Sequence, residues 1–255
     1  MNISGISDIG AMRKLNQDNY YTKMITDKIA LGVVCDGMGG ANGGCEASAI
    51  AIFEFSDFMR EALRHYIDES GNFTPSMSDA RMRRTMTQGI NRANDAVFNR
   101  SKENEELAGM GTTLVCAICT SDKVYCINVG DSRMYSADSD SITRVTKDHS
   151  YVQYLVDSGA ISPEEAENHP KKNIITRAIG THDSVEGEFF VLESAQKGDC
   201  IMLCSDGLTN FVKESDIHDV LISKLTNEEK IKKLVDMANE GGGGDNITVV
   251  LTSLN

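Results

Sequence analysis

Apolar residues crowd into short runs along this chain: Ile29 to Cys35, Thr113 to Thr120, Val124 to Val129, Cys200 to Cys204 and Ile247 to Leu251, each bounded by Gly, Asp, Asn or Ser. Short β-branched and apolar runs ended by turn formers predict strands. Between the first two runs the period changes. Over Gly44 to Tyr66 and Asp79 to Lys102 apolar residues recur at helical spacing, predicting two long helices with "GNFTPSMSD" as the loop between them. Shorter helices are predicted over Tyr151 to Asp157, Pro163 to Asn168, Glu214 to Leu221 and Asn227 to Ala238, the last with Asn227 as N-cap and acids in its first turn. Strands mixed with helices could form an open parallel sheet. The runs on either side of the tight "SDK" turn instead predict an antiparallel hairpin, and hence antiparallel sheets with helices packed outside.

Composition narrows the function. With 255 residues, 40 % hydrophobic and 25 % charged, the chain can bury a large core as one domain. Its net charge of −13 argues against nucleic acid as a partner, because phosphate-tracking surfaces need clustered Lys and Arg. The seven cysteines are an odd number without a disulfide-domain spacing, and most lie inside apolar runs, so they read as buried, reduced thiols. "CAIC" at Cys116 to Cys119 has metal-site spacing but stands alone inside a strand-like run, which favours a core role. No run is long enough to span a membrane, and the expected location is cytoplasmic.

One device recurs. "VVCDG" places Asp36 after a strand, "INVGDSR" places Asp131 after another, "IMLCSDG" places Asp206 after a third, and "GGGGDN" places Asp245 just before a fourth. A single aspartate at a strand end is an ordinary turn residue. Several at strand ends of one sheet system can converge on a cleft, where they would repel unless a divalent cation neutralised them. Glycine beside Asp36 and Asp206 lets backbone approach closely. Upstream, "DIGAMRKLNQDN" supplies Arg13, a planar fork suited to phosphate, and Asp18, a carboxylate able to orient metal-bound water.

The ordered series Arg13 to Asp18 (R-x-x-N-Q-D), Asp36 to Gly40 (D-G-M-G-G), Gly109 to Thr113 (G-x-G-T-T), Val129 to Arg133 (V-G-D-S-R), Asp148 to Ser150 (D-H-S), Ser205 to Gly207 (S-D-G) and Asp245 to Val249 (D-N-I-T-V) closely resembles the metal-dependent protein Ser/Thr phosphatases of the PP2C, or PPM, family in their compact bacterial form. The resemblance covers essentially the whole chain. It implies an α+β fold, a four-layer sandwich of two central antiparallel β-sheets flanked by pairs of α-helices. It also implies a centre of two Mn2+ or Mg2+ ions. Asp36 would bridge the ions, the Gly37 carbonyl would bind one, and Asp206 and Asp245 would complete the other. Asp131, with Asp206, would hold a third ion, and Asp18 would act through water. Arg13 would hold the phosphoryl oxygens while a hydroxide shared by the metals attacks phosphorus. The segment from His149 to Ile175 corresponds to a flap beside the site, expected to select substrates. The partners implied are phosphorylated Ser/Thr proteins, with a bacterial Ser/Thr kinase opposing the enzyme.

Two departures matter. Met38 stands where many relatives carry a histidine regarded as general acid, so the leaving-group proton is expected from water, with His149 a distant second candidate. Asn210 replaces an aspartate found near the metals in some relatives. Rival readings fit less well. None of the cysteines has Arg six positions on, as a thiol phosphatase needs. Gly37 and Gly39 are followed by Asn42 where a dinucleotide turn wants a third glycine. "DSDSITRVTKDH" has Ile142 and His149 at calcium-ligand positions, and so reads as a polar hairpin turn. A non-catalytic metal-binding module of the same fold is disfavoured by the presence of Arg13 and every metal aspartate. A stress-response phosphatase acting on a phosphorylated anti-sigma antagonist is the runner-up among enzymes.

Overall fold

The computed structural model describes residues 1–193 and 198–254. In chain order the elements are β1 (Asn2–Asp8), β2 (Asp18–Thr26), β3 (Ile29–Met38), α1 (Gly40–Arg64), α2 (Asp79–Glu103), β4 (Gly111–Thr112), β5 (Leu114–Cys119), β6 (Val124–Val129), β7 (Arg133–Ala137), β8 (Ile142–Arg144), α3 (Tyr151–Asp157), α4 (Pro163–Glu167), β9 (Glu188–Leu192), β10 (Cys200–Cys204), α5 (Asp206–Thr209), α6 (Glu214–Leu221), α7 (Asn227–Glu240) and β11 (Ile247–Ser253). One sheet runs β1-β11-β10-β7-β8 and the other β2-β3-β5-β6-β9, with β4 paired to β3. Every pairing is antiparallel.

Side-chain alternation explains the layers. In β3, Ile29, Leu31, Val33 and Cys35 face α1 and α2, whereas Ala30 and Val34 face the other sheet. Strands β5, β10 and β11 divide in the same way: Cys200, Met202 and Cys204 pack toward α6 and α7, while Ile201 and Leu203 meet the opposite sheet. Strands buried on both faces therefore read as unbroken apolar runs. The result is a four-layer α+β sandwich with three apolar seams, each fully buried Leu, Ile or Met contributing about 1.5–3 kcal/mol.

The alternation also disposes of the C-x-x-C spacing, because Cys116 lies in the helix-side core and Cys119 between the sheets. All seven cysteines are free, and six are buried. Burial pushes the thiols of Cys35, Cys116, Cys119, Cys126 and Cys204 up, Cys119 to about 12. The 138–149 segment begins with the hairpin turn 138–141 between β7 and β8, Asp138 Oδ1 accepting from Asp140 and Ser141 N–H at 2.8 Å, and continues through β8.

The structure corrects several boundaries. Helix α7 is capped by Thr226, not Asn227, through a reciprocal capping box with Glu229. Helix α1 begins at Gly40, with Gly39 at φ 116° as its cap. Strands β1, β2, β4, β7, β8 and β9 carried no sequence expectation. No helix among the described residues is long and apolar enough to cross a membrane.

Candidate active site

Antiparallel pairing gathers the aspartates at one end of the sandwich. Asp18 opens β2 and faces Asp36 near the end of β3 as its register partner. On the other sheet, Asp206 follows β10 and Asp245 precedes its neighbour β11, while Asp131 lies in the turn that crosses from β6, on the sheet of β2 and β3, to β7 on the other.

Each is fixed by backbone chemistry. The Asp36 N–H donates to Thr113 Oγ1 at 2.9 Å, and its carbonyl accepts from Thr113 N–H and Thr112 Oγ1, both at 2.9 Å. Thr113 Oγ1 lies 2.7 Å from Ser132 Oγ, tying this strand to the Asp131 turn. Gly37 donates to Gln17 O at 3.2 Å, and a Cβ at Gly37 would collide with the Gly44 carbonyl oxygen. A Cβ at Gly207 would strike Asn246 O, so both glycines are required by close backbone approach.

Asp18 is 5 % exposed. Its Oδ2 accepts from Ser205 Oγ and Thr248 Oγ1, each at 2.7 Å. Asp206 Oδ2 accepts from Asn210 Nδ2 at 3.0 Å, giving that unexpected asparagine a supporting contact. Asp245 Oδ2 pairs with Arg13 Nη2 at 2.8 Å, and Arg13 Nε donates to Gly244 O at 3.3 Å. With both partners partly exposed, that ion pair contributes about 0–1 kcal/mol.

The electrostatics call for a cation. Burial first, then neighbouring carboxylates, pushes Asp36 well above the usual range; Asp18, Asp206, Asp131 and Asp245 all contribute. Burial raises Asp18 to about 6 against its two hydroxyl donors. It raises Asp131 to about 8, with Asp206 and Asp148 adding to the shift. Asp206 is raised by burial and then by Asp245. Asp18 Oδ1 and Asp206 Oδ1 are buried without a hydrogen-bond partner. Among the described residues no group of three or more His, Cys, Asp or Glu forms a ready ligand set, and Asp245 is engaged with Arg13 instead. Two orphaned carboxylate oxygens amid mutually repelling acids nevertheless fit hard divalent cations, which prefer oxygen donors.

A stability prediction follows from the same shifts. A carboxyl whose folded pKa is raised binds its proton more readily when folded, so its stabilisation is complete below about pH 4 and is lost as pH rises. For Asp18 the loss runs through about 6 and for Asp131 through about 8. The metal-free protein should therefore melt at lower temperature at pH 8 than at pH 6, and Mn2+ should raise the melting temperature more at pH 8. Scanning calorimetry with chelator and with Mn2+ checks this; a metal-free melting temperature that climbs across that window would contradict it.

Neither Met38 nor His149 is placed to supply the leaving-group proton. Met38 has no titratable proton. His149 is 8 % exposed, with Nδ1 accepting from Gly130 N–H at 3.1 Å and Nε2 facing Glu188 at 3.3 Å, so both ring nitrogens are engaged. Burial and then Arg177 lower its pKa, keeping it neutral. The main-chain contacts of His149 and Ser150 with residues 174–176 close the base of the 149–175 segment, which carries α3 and α4.

Sequence reasoning missed Asn246, Ser205, Thr248, Thr112 and Thr113 as supporting groups. All lie inside motifs already noted, beside the residues that drew attention. Asn246 is the most connected: its Nδ2 donates to Ile9 O and Leu15 O, both at 2.9 Å, and its Oδ1 accepts from Gln17 N–H at 2.8 Å.

A four-layer sandwich with aspartates converging at its sheet ends beside an exposed arginine defines the class as a metal-dependent phosphoester hydrolase. Residues 11–239 match the family model described as protein phosphatase 2C. The chain is 39 % identical to a serine/threonine phosphatase stp of Listeria innocua over 98 % of this chain and 94 % of the relative. Its structure is similar to that of the S. agalactiae serine/threonine phosphatase, with TM-score 0.87, 32 % identity and coverage of 100 % and 99 % of the two chains. It is also similar to the catalytic domain of the phosphatase PstP in complex with two manganese ions, with TM-score 0.78, 32 % identity and coverage of 98 % and 96 %. The chain belongs to the protein phosphatase 2C family, and is a metal-dependent protein serine/threonine phosphatase.

Proposed function

We propose that residues 1–255 form one phosphatase domain that hydrolyses phosphoserine and phosphothreonine in cytoplasmic proteins, opposing a bacterial Ser/Thr kinase. The observation that supports this reading is the convergence of Asp18, Asp36, Asp131 and Asp206, whose carboxyl pKa values are all raised, with Asp245 and its partner Arg13. Asp36, with the Gly37 carbonyl, Asp206 and Asp245 would hold two Mn2+ or Mg2+ ions, Asp131 with Asp206 a third, and Asp18 would act through water. When bound, such ions neutralise charge on phosphoryl oxygens and make water a competent nucleophile near neutral pH.

The protein's own residues do the rest. Arg13 releases Asp245 and turns its fork to the non-bridging phosphate oxygens, fixing phosphorus for in-line attack. Asp18, held by Ser205 and Thr248, keeps a free oxygen, Oδ1, to orient water. The leaving seryl or threonyl oxygen takes its proton from water, since Met38 has none to give and both nitrogens of His149 are engaged. The 149–175 segment acts as a flap that selects substrates.

The test is phosphate release from a phosphothreonine peptide by metal-stripped protein titrated with Mn2+ and then Mg2+, beside Arg13→Ala. Release should depend on metal, and Arg13→Ala should lower kcat/KM by about 10- to 100-fold through loss of a charge-assisted bidentate contact. A folded protein that binds Mn2+ yet releases no phosphate at any concentration would leave a non-catalytic module instead.

A further inference from the structure

Nine large apolar side chains stand exposed among the described residues, and three of them, Ile9 at 39 %, Met12 at 73 % and Leu15 at 47 %, lie in one loop. That loop joins β1 to β2 and carries Arg13. Scattered exposed apolar residues are ordinary, but a cluster around an anion-binding side chain calls for an occupant.

The loop is also held firmly. Ala11 and Met12 N–H both donate to Gly243 O, at 2.9 and 3.1 Å, and Gly10 N–H donates to Asp8 Oδ1 at 2.8 Å. The Asn246 carboxamide pins Ile9, Leu15 and Gln17 from beneath. Met12 and Leu15 are thus displayed on backbone ordered in advance, so a partner that covers them loses little conformational freedom in the loop.

We propose that Met12 and Leu15 form an apolar ridge on either side of Arg13 that binds the side chains flanking the phosphorylated residue of a protein substrate, selecting phosphorylated segments with an aliphatic or aromatic neighbour. The ridge rests on the reading of Arg13 as the phosphate-holding residue. Reach sets the register. Met12 precedes Arg13 by one residue and Leu15 follows it by two, so the ridge spans at most about 10 Å, within the reach of about three residues of an extended substrate. The apolar contacts therefore fall one or two positions from the phosphoresidue. Lys14, exposed on the same loop of a chain with net charge −13, adds local positive charge that favours an acidic segment there.

The experiment compares two phosphothreonine peptides, one with Leu and one with Ser on each side of the phosphothreonine, together with p-nitrophenyl phosphate. The enzymes are the Mn2+-loaded wild type and the double variant Met12→Gln/Leu15→Gln. The wild type should prefer the Leu peptide by about tenfold in kcat/KM, carried by KM, as expected for a modest apolar contact. The variant should lose most of that preference, and its ratio of Leu-peptide to p-nitrophenyl phosphate turnover should fall with it. Because each preference is a ratio within one preparation, partial misfolding does not alter it. Equal turnover of the two peptides by the wild type, or an undiminished preference in the variant, overturns the ridge alone. Silence of the wild type on all three substrates overturns the phosphatase reading and the ridge together.

Discussion

Asp36→Asn should reduce metal-dependent phosphate release by at least about 10³-fold, the scale of losing a principal metal ligand and the nucleophile it helps to create. The substitution keeps the side chain's shape and leaves untouched the main-chain bonds that Thr112 and Thr113 make to residue 36. The loss would therefore reflect charge and not fold. A second readout separates the two. Burial and the carboxylates of Asp18, Asp206, Asp131 and Asp245 disfavour charge at this position, so the metal-free variant should melt no lower than the metal-free wild type at pH 8. At the same time the rise in melting temperature produced by Mn2+ should largely vanish, because one charged ligand is gone. A variant that keeps activity within tenfold, or that still gains the wild-type increment from Mn2+, would remove Asp36 from the centre of the site.

What could be read from the sequence follows from where strands sit. Strands β3, β5, β6, β10 and β11 are interior and send side chains to apolar layers on both faces, so their apolar runs identified them. Strand β1 lies at a sheet edge with largely half-buried residues, and "NISGISD" offers no apolar run. Strand β2 is an edge strand as well, and β9 ends the opposite side of the same sheet with all five residues half-buried. For Asn227 the error was one residue: Thr226 and Glu229 carry the capping-box pattern, and acids in the next turn drew the cap forward. The aspartates stood out because they interrupt apolar runs abruptly. Their supports did not, because Ser205 meets Asp18 across 187 positions and Thr248 meets it across 230, pairings that only the register of two sheets creates.

Asn246 shows what such a support does, and Asn246→Asp should be among the most destabilising single-atom changes in the chain. Its Nδ2 sits 2.9 Å from two carbonyl oxygens, Ile9 O and Leu15 O, in a setting 5 % exposed. Replacing that nitrogen by oxygen turns two donated bonds into two acceptor–acceptor contacts, while the bond from Gln17 N–H survives. Two lost bonds from a buried side chain, with the repulsion added, cost about 3 kcal/mol, or a fall in melting temperature of roughly 6–12 °C for a chain of this size. Asn246→Ala removes the bonds without introducing charge and should fall less at pH 8. The order of the two variants is itself pH-dependent. In the fold the introduced carboxyl faces carbonyls, which raises its pKa, so the aspartate variant's stability is best below about pH 4 and declines as pH rises. Protonated, it donates to one of the two carbonyls and narrows its deficit against wild type. The catalytic consequence runs through position and not contact: the loop from Ile9 to Gln17 carries Arg13, so loosening its anchor should raise KM for a phosphopeptide more than it lowers kcat. An aspartate variant that melts within 2 °C of wild type at pH 8, or whose KM is unchanged, would show that Gly243 and Gln17 hold the Arg13 loop without Asn246.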